Sequence, residues 1–350
     1  MMKKGFAFLL LLGVVLGTLI GCNSSEGNSQ SGGSENDDSS SEGTAEAQII
    51  SVALTLSENS SLYETWEKFG EVVEAESDGL LTVEIYPNGE KGNDRESIEG
   101  VQVGTITATA PSTAPVAGFD ETYSVFDLPF LFKDRETAYN VLDGTVGQEM
   151  LDRLENIGMK GLGYWENGYR NLTNSKLPVR TPEDVEGLKI RTMENNMHLE
   201  TWKLLGANPT PMAWADVYVS LQQGALDGQE NPLSIIYDQK VYEVNDYVTL
   251  TGHVYSPFVV LFNKQFYDGL SPDLQAAIET AMEEAKQANR QLVLEEEDEI
   301  KASLAETGME VIELTAEEKA AFQEATLPIY DQFSDVIGAE LVEQMLEAVK

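Results

Sequence analysis

The chain has 350 residues, and its 60 acidic and 22 basic residues give it a formal net charge of −38 at pH 7. Phosphate recognition requires clustered Lys or Arg side chains, so this composition argues against nucleic acid or anionic lipid as a partner. The single cysteine cannot pair within the chain, which excludes a framework of intrachain disulfides.

The first element is a leader of the kind that exports bacterial lipoproteins. Two lysines precede the apolar segment 6–20, which is too short for a stable membrane-spanning helix. Gly21 and Cys22 follow, and a small residue before a cysteine is typical of the site where such a leader is cut and the thiol acylated, for example with palmitate. The pattern predicts a signal peptide at 1–21 and a lipid anchor at Cys22 on the extracytoplasmic face of the cell membrane. The alternative is an ordinary secretory signal with an incidental cysteine.

Residues 22–47 are predicted to form a disordered tether. They are rich in Ser, Gly, Asn and Glu, and no apolar residue among them is larger than alanine, so they cannot bury a core. The remaining residues, 48–350, are numerous enough for two domains with separate cores.

Strand patterns alternate with helical patterns through most of this body. The strand–helix–strand order predicts α/β layers around a mostly parallel sheet. The predicted strands are 49–56, 82–86, 105–109, 161–165, 188–191 and 225–229, and the predicted helices are 62–75, 95–103, 196–205 and 214–223.

A long helix is predicted over 271–306. Ser271 is a suitable N-cap and Pro272 suits the first helical position. No Pro or Gly interrupts the following residues before Gly308, and a helix of this length would extend about 54 Å and bridge two domains. The alternative is a break within 295–299, where like charges repel. Residues 315–318 resemble a capping box, and two acidic helices are expected to finish the chain.

The sequence carries no recognisable catalytic or metal-binding motif. It has two histidines, His198 on a predicted helix and His253 in a predicted loop, and we interpret both as surface or packing residues. Pairs of carboxylates carry no information among 60 acids. We therefore predict neither catalytic residues nor a metal site nor a cofactor, and expect a binding protein rather than an enzyme.

Two arginines stand out in this acidic chain. Arg170 lies in a predicted loop after a strand, and Arg191 ends the strand 187–191. Ligands of open α/β sheets lie at the carboxyl ends of strands, and a guanidinium there can hold a carboxylate with two hydrogen bonds. From position alone, surface ion pairs with the many acids are the alternative.

Several sequence strings around these arginines resemble the solute receptors of tripartite ATP-independent periplasmic (TRAP) transporters, which are ion-driven importers of organic acids. The resemblance covers about 49–349. The strings are Asn-Asp-Arg-Glu at 93–96, Asp-Leu-Pro-Phe-Leu-Phe at 127–132, Gly-Leu-Lys-Ile-Arg at 187–191, Leu-Gly-Ala-Asn-Pro-Thr-Pro-Met at 205–212, Asp-Val-Tyr at 216–218 and Leu-Asp-Gly-Gln-Glu-Asn-Pro at 226–232.

The resemblance implies an α/β fold of the periplasmic-binding-protein type. Two lobes would be joined by crossing hinge strands and by a long helix that spans both, and they would close on the ligand. Lobe I would comprise 48–167 plus about 257–296, and lobe II would comprise 168–256 plus about 297–350.

The resemblance also implies roles for individual residues. Arg191 would form a bidentate salt bridge with the ligand carboxylate, Arg170 would lie near the same group, and Asn231 would hydrogen-bond it. Trp214 would pack on the ligand, or alternatively in the core of an amphipathic helix. Thr55, Asp94 and Ser112 would line the pocket from the facing lobe.

Sialate-binding relatives carry an acid where this chain has Ser112 and a base near Pro115, so a sialate-like ligand is not expected. A C4-dicarboxylate, keto acid, uronate or other sugar acid remains open. The expected partner is a TRAP membrane permease, with a membrane sensor kinase as the alternative. An extracellular enzyme and a structural or adhesive lipoprotein are further alternatives. A monomer is expected, although a dimer through a terminal helix remains open.

Overall fold

One mixed sheet of nine strands runs through the part of the chain that the structure describes. The structure is a computed structural model and describes residues 47–350, so the predicted signal peptide, Cys22 and the tether lie outside it. The strands are β1 (Gln48–Ala53), β2 (Leu81–Tyr86), β3 (Ala108–Thr109), β4 (Met159–Asn174), β5 (Lys189–Thr192), β6 (Asn208–Pro211), β7 (Gly228–Asn231), β8 (Tyr247–Asn263) and β9 (Glu310–Ile312).

Thirteen α-helices within 47–350 cover this sheet. They are α1 (Ser61–Glu76), α2 (Asp94–Val103), α3 (Thr113–Val116), α4 (Arg135–Leu142), α5 (Thr145–Arg153), α6 (Asn196–Leu204), α7 (Val217–Gln222), α8 (Leu233–Asp238), α9 (Lys264–Asp268), α10 (Pro272–Glu306), α11 (Ala316–Thr326), α12 (Pro328–Ile337) and α13 (Ala339–Ala348). None of the helices in this range is long and apolar enough to cross a membrane.

The fold is α/β and two-lobed. The strand order is β2-β1-β3-β8-β4-β7-β5-β6, with β9 on β8. In the first lobe β1 pairs in parallel with β2 and β3, and in the second β5 pairs in parallel with β6 and β7. The two long strands β4 and β8 pair antiparallel and join the lobes. The predicted parallel sheet is therefore present within each lobe, and the connection between the lobes is antiparallel.

Of the two joining strands, β4 is much longer than the pattern predicts, and β8 was not predicted. Strand β4 has 16 residues, whereas the prediction covered only 161–165. The β4–β8 register shifts between Gly161 and Gly163, between Trp165 and Gly168, and again after Arg170. Gly168 has φ 120°, a backbone conformation that residues with a Cβ rarely adopt. These irregularities let one strand bend from one lobe into the other.

Helix α10 is continuous over 35 residues, as predicted, and does not break at 295–299. The Ser271 side chain caps it by accepting from the Leu274 amide, and Pro272 takes its first position. Residues from Leu274 to Ala285 pack in the core of the first lobe with β1 and α1. Ile300 and Leu304 pack with α7 and α8 in the second lobe. The helix therefore spans both lobes.

Three helices, rather than the two expected, finish the chain. Thr315 and Glu318 form the predicted capping box that opens α11. Helices α12 and α13 pack against α5 and a 3-10 helix at Glu121–Asp127. The division of residues between lobes stays a prediction.

Candidate functional site

A cavity lies where the strand ends of the two lobes meet. Its volume is about 460 Å³, including its opening to solvent. Strands β1 and β3 of the first lobe, and β5 and β7 of the second, all direct their carboxyl ends towards it. Such crevices at strand ends are the usual ligand sites of α/β sheets. Six predicted site residues line it, namely Thr55, Asp94, Ser112, Arg191, Trp214 and Asn231.

Arg191 enters the cavity from β5. The residue is only 4% exposed, and its Nε and Nη2 both donate to the Met212 carbonyl oxygen, at 2.9 and 2.7 Å. Its guanidinium carbon lies 5.4 Å from the centroid of the Trp214 ring. Within residues 47–350, Nη1 has no hydrogen-bond partner. The outer edge of the guanidinium is therefore available for an anion.

The surroundings of Arg191 are electrostatically unusual. Burial lowers the pKa of its guanidinium to about 10, and the nearby Arg170 contributes in the same direction, whereas Glu230 opposes the shift. The side chain is still cationic at neutral pH. Because a buried charge without a countercharge is costly, an anion in the cavity would be stabilised.

Arg170 lies in β4 and not in the predicted loop, because β4 continues well past its predicted end. It is fully buried and does not line the cavity. Its Nε and Nη2 donate to the Glu230 carboxylate, and Nη2 also donates to Asn231 Oδ1 at 2.9 Å. Nη1 is buried without a partner among the described residues. The ligand-binding role of Arg170 stays a prediction.

Asn231 connects Arg170 to the cavity. It ends β7, and its Nδ2 donates to Gln229 Oε1 at 2.6 Å while its Oδ1 accepts from Arg170. These two bonds fix the orientation of the amide.

The facing wall is built by Thr55 and Asp94 of the first lobe. Thr55 follows β1, and its hydroxyl donates to Asp94 Oδ1 at 3.0 Å. Asp94 is the first residue of α2, whose capping box is formed by Asn93 and Glu96. Burial raises the pKa of the Asp94 carboxyl, and the Thr55 hydrogen bond and Arg191 oppose the shift. The cavity thus has a cationic wall and an acidic wall.

Ser112 and Trp214 complete the predicted set. Ser112 Oγ accepts from Asn167 Nδ2 at 3.2 Å, between β3 and α3. Trp214 opens a short 3-10 helix, Trp214–Asp216, and the α-helix predicted at 214–223 begins only at Val217. Its ring packs against the cores of both lobes. A wider cavity shares Thr55 and Trp214 with the first, so the two adjoin.

A buried cluster of charged residues behind Arg170 was missed in the sequence. Glu230 Oε2 lies 3.2 Å from His253 Nε2, and Glu230 Oε1 lies 3.8 Å from His198 Nδ1. His198 Nε2 in turn lies 3.2 Å from Asp127 Oδ1. Neither histidine is on the surface, and His253 lies in β8 rather than in a loop. The sequence feature that could have indicated this cluster is Glu230, which precedes Asn231 in the string at 226–232, the most specific of those that resemble the family.

The electrostatic interactions of this cluster favour a fixed position of the Arg170 side chain. Despite the opposing effect of burial, Arg170 and His253 hold the pKa of the Glu230 carboxyl far below its usual value. Burial lowers the pKa of His253, against the opposing effect of Glu230.

Among residues 47–350 no group of three or more His, Cys, Asp or Glu side chains is arranged to hold a metal ion.

A two-lobed α/β fold with a buried arginine open to the cleft defines the class of solute-binding proteins. The chain matches the family model of bacterial extracellular solute-binding protein, family 7 (DctP), over residues 52–335. It therefore belongs to this family of TRAP solute receptors.

The names of relatives in this family, and the descriptions of their crystal structures, specify different ligands. The chain is 38% identical over 279 residues to the 2,3-diketo-L-gulonate-binding periplasmic protein of Escherichia coli K12, covering 80% of this chain and 84% of the relative. It resembles the crystal structure of a sugar acid binding protein from Advenella mimigardefordensis with galactonate, with TM-score 0.85, 38% identity and coverage of 87% and 98%. A TRAP receptor from Sulfurospirillum deleyianum with bound succinate has TM-score 0.82, 33% identity and coverage of 86% and 99%.

Proposed function

We propose that this chain is an extracytoplasmic receptor that binds an organic acid by its carboxylate in the interlobe cavity and delivers it to a TRAP-type membrane permease. The observation that carries the proposal is the buried guanidinium of Arg191, which lines the cavity and forms no salt bridge with any acid among residues 47–350. A ligand carboxylate would supply that charge, and a charge-assisted bidentate pair is strong where water is excluded.

Lobe closure follows from the position of the wall residues. Arg191 and Asn231 belong to the second lobe, whereas Thr55, Asp94 and Ser112 belong to the first. A ligand that contacts both sets binds the closed form better than the open form and shifts the population towards it. No bond needs to be made or broken in this cycle, so we propose a receptor without enzymatic activity. Bound acid recovered chemically unchanged after prolonged incubation would support this, and turnover would contradict it.

The first experiment is a thermal-shift screen of residues 48–350 against C4-dicarboxylates, keto acids, uronates, other sugar acids, aromatic acids and sialate. A ligand at about 1,000 times its Kd adds roughly 4 kcal/mol of stability, which raises the melting temperature by several degrees. The absence of a shift with every acid, together with the absence of any acid in protein denatured and analysed by mass spectrometry, would overturn the proposal.

Substitution of Arg191 tests the role of its charge. Arg191→Ala should weaken binding of the acid found in the screen by about 3 kcal/mol, because it removes two charge-assisted hydrogen bonds. Arg191→Lys should also bind poorly, since an ammonium cannot reproduce the planar fork. Arg180→Ala is the matched control, because Arg180 is exposed and its side chain donates at the surface to the Glu313 carbonyl oxygen and to Glu318. Near wild-type affinity of Arg191→Ala in calorimetry would exclude the role.

We further propose that Cys22 is acylated and holds the receptor at the membrane as a monomer. The support is the leader and its small residue before the cysteine. Labelling with a palmitate analogue should mark the full-length protein but not Cys22→Ser, and sedimentation of residues 48–350 should give a monomer mass. Labelling of Cys22→Ser would contradict acylation at Cys22, and a dimer mass would contradict the monomer.

A further inference from the structure

Among the described residues, the wall opposite Arg191 carries an acid and hydroxyl groups but no cation. Among the lining residues that lie within 47–350, Arg191 is the one cation and Asp94 is the one acid. Arg170 lies behind this wall, and its charge is already paired with Glu230. A ligand therefore meets one unpaired positive charge on one side and a carboxyl group on the other.

This charge distribution separates acids with one carboxylate from acids with two. The first carboxylate of any ligand would be neutralised at Arg191. A second carboxylate at the far end would lie towards Asp94, with no cation to pair with it. Like charges held together out of water cannot both stay ionised without a large cost. The cavity thus disfavours a dicarboxylate.

The hydrogen-bonding groups of this wall require a partner that both donates and accepts. Asp94 Oδ1 accepts from Thr55, but Asp94 Oδ2 has no partner among the described residues. Ser112 Oγ accepts from Asn167, so its own proton is free to donate. A hydroxyl group can donate to Asp94 and accept from Ser112, whereas a carboxylate can only accept and an ammonium can only donate. Hydroxyl groups are therefore the complement of this wall.

We propose that this receptor selects a polyhydroxylated monocarboxylic acid, that is a sugar acid, and rejects C4-dicarboxylates through Asp94. The proposal rests on the proposed carboxylate-binding function, with Arg191 as the anchor for the single carboxylate. Asp94, Thr55 and Ser112 then form the hydroxyl-binding wall. Selection arises both from hydrogen bonds made to the correct ligand and from repulsion of the wrong one.

The test compares ligands of equal carbon number by calorimetry on residues 48–350. D-erythronate, succinate and L-threonine each have four carbons. Besides the shared carboxylate, D-erythronate carries three hydroxyl groups, succinate a second carboxylate, and L-threonine an ammonium and one hydroxyl group. D-galactonate and D-gluconate extend the sugar acids to six carbons. We expect at least one sugar acid to bind more tightly than succinate and L-threonine by about tenfold or more. This difference corresponds to one hydrogen-bonding group lost, or one group repelled, at the wall.

Asp94→Asn separates the contribution of the charge. The variant should bind the preferred sugar acid about tenfold less tightly and succinate as tightly as the wild type or more so, because the repulsion is removed. Asp335→Asn, at an exposed position on α12, is the matched control and should leave both affinities unchanged. The melting temperature of each variant checks its folding.

The outcomes distinguish this inference from the function on which it rests. Tighter binding of succinate or L-threonine than of every sugar acid, or an equal loss for all ligands in Asp94→Asn, would overturn the sugar-acid inference while leaving an acid receptor. Binding of none of these acids, with no acid co-purifying, would overturn both.

Discussion

Arg170 and Arg191 differ in what neutralises them. Arg170 is paired with the buried carboxylate of Glu230, whereas Arg191 is held only by the carbonyl oxygen of Met212. A carbonyl orients the guanidinium without cancelling its charge. The charge of the first arginine is thus neutralised within the protein, and the second retains a charge that a ligand can neutralise.

The lowered pKa of Arg191 predicts a pH dependence of binding. Burial lowers this pKa to about 10 in the empty receptor, and a bound carboxylate would raise it. Below that pH both states hold the proton, so the affinity is constant. Above it the empty receptor loses a proton that binding must restore, and the affinity should fall by up to about tenfold per pH unit.

Calorimetry from about pH 8 to pH 11 would measure this effect, and circular dichroism would confirm that the fold persists at each pH. The carboxylate of the ligand is ionised throughout this range and contributes no pH dependence. An affinity that is unchanged up to pH 11 would show that Arg191 keeps its proton in the unliganded receptor, and would contradict the lowered pKa.

Individual site residues differed in how far the sequence revealed them. Arg191 stood out because arginine is scarce and it ends a strand, and the structure places it in the cavity. The cluster of Glu230, His198 and Asp127 was not predicted, because its contacts join positions far apart in the chain and acids are too common to be informative by type alone. Burial is a property of the tertiary fold that no local pattern shows for these side chains.

At the level of elements, the acidic run in α10 is supported from outside the helix. Glu297 pairs with Arg135, the first residue of α4, at 2.5 Å. Arg135 also donates through Nε to Glu166 of β4 at 3.0 Å. Burial alone would lower the pKa of Arg135, but Glu166 and Glu297 outweigh it and hold that pKa above its usual value. This pairing offsets the like-charge repulsion that favoured a break.

Arg135→Ala should therefore destabilise the fold by about 3 kcal/mol, because it leaves the fully buried Glu166 carboxylate without its cation. Arg153→Ala is the matched control, since the Arg153–Asp120 pair is exposed and should contribute no more than about 1 kcal/mol. Urea unfolding of both variants measures the difference. Equal, small losses would show that Glu166 is held by its neighbours without Arg135.

The elements that local patterns predicted least well are the two joining strands. The predicted strand ends at residue 165, yet β4 continues through Gly168 to Asn174. Long antiparallel pairing with β8 satisfies the backbone on both sides of each irregularity, so tertiary context overrides local propensity. Helix α10 was predictable because its cap, its first-position proline and its uninterrupted length are all local signals.

At the scale of the whole molecule, the charge of the protein opposes that of its proposed ligand. The chain carries a formal net charge of −38, whereas the unpaired charge of Arg191 lies within the cleft. The far field repels an anion approaching from solution, and the local field attracts it after entry. The Debye screening length sets how far the repulsion by the acidic surface extends into solution. It is about 30 Å at 0.01 M salt and about 8 Å at 0.15 M.

Salt should therefore accelerate association with an organic acid instead of slowing it. Between about 0.01 and 0.15 M salt, the association rate constant should rise by up to roughly tenfold, because the repulsive far field is screened. The dissociation rate should change little, since the pair at Arg191 lies in a buried cavity where screening is weak. Stopped-flow tryptophan fluorescence gives both rates, and NaCl and KCl compared at equal ionic strength separate screening from specific ion binding. An association rate that falls as salt rises would mean that the arginines dominate the field at the distance where the ligand is captured, despite the acidic surface.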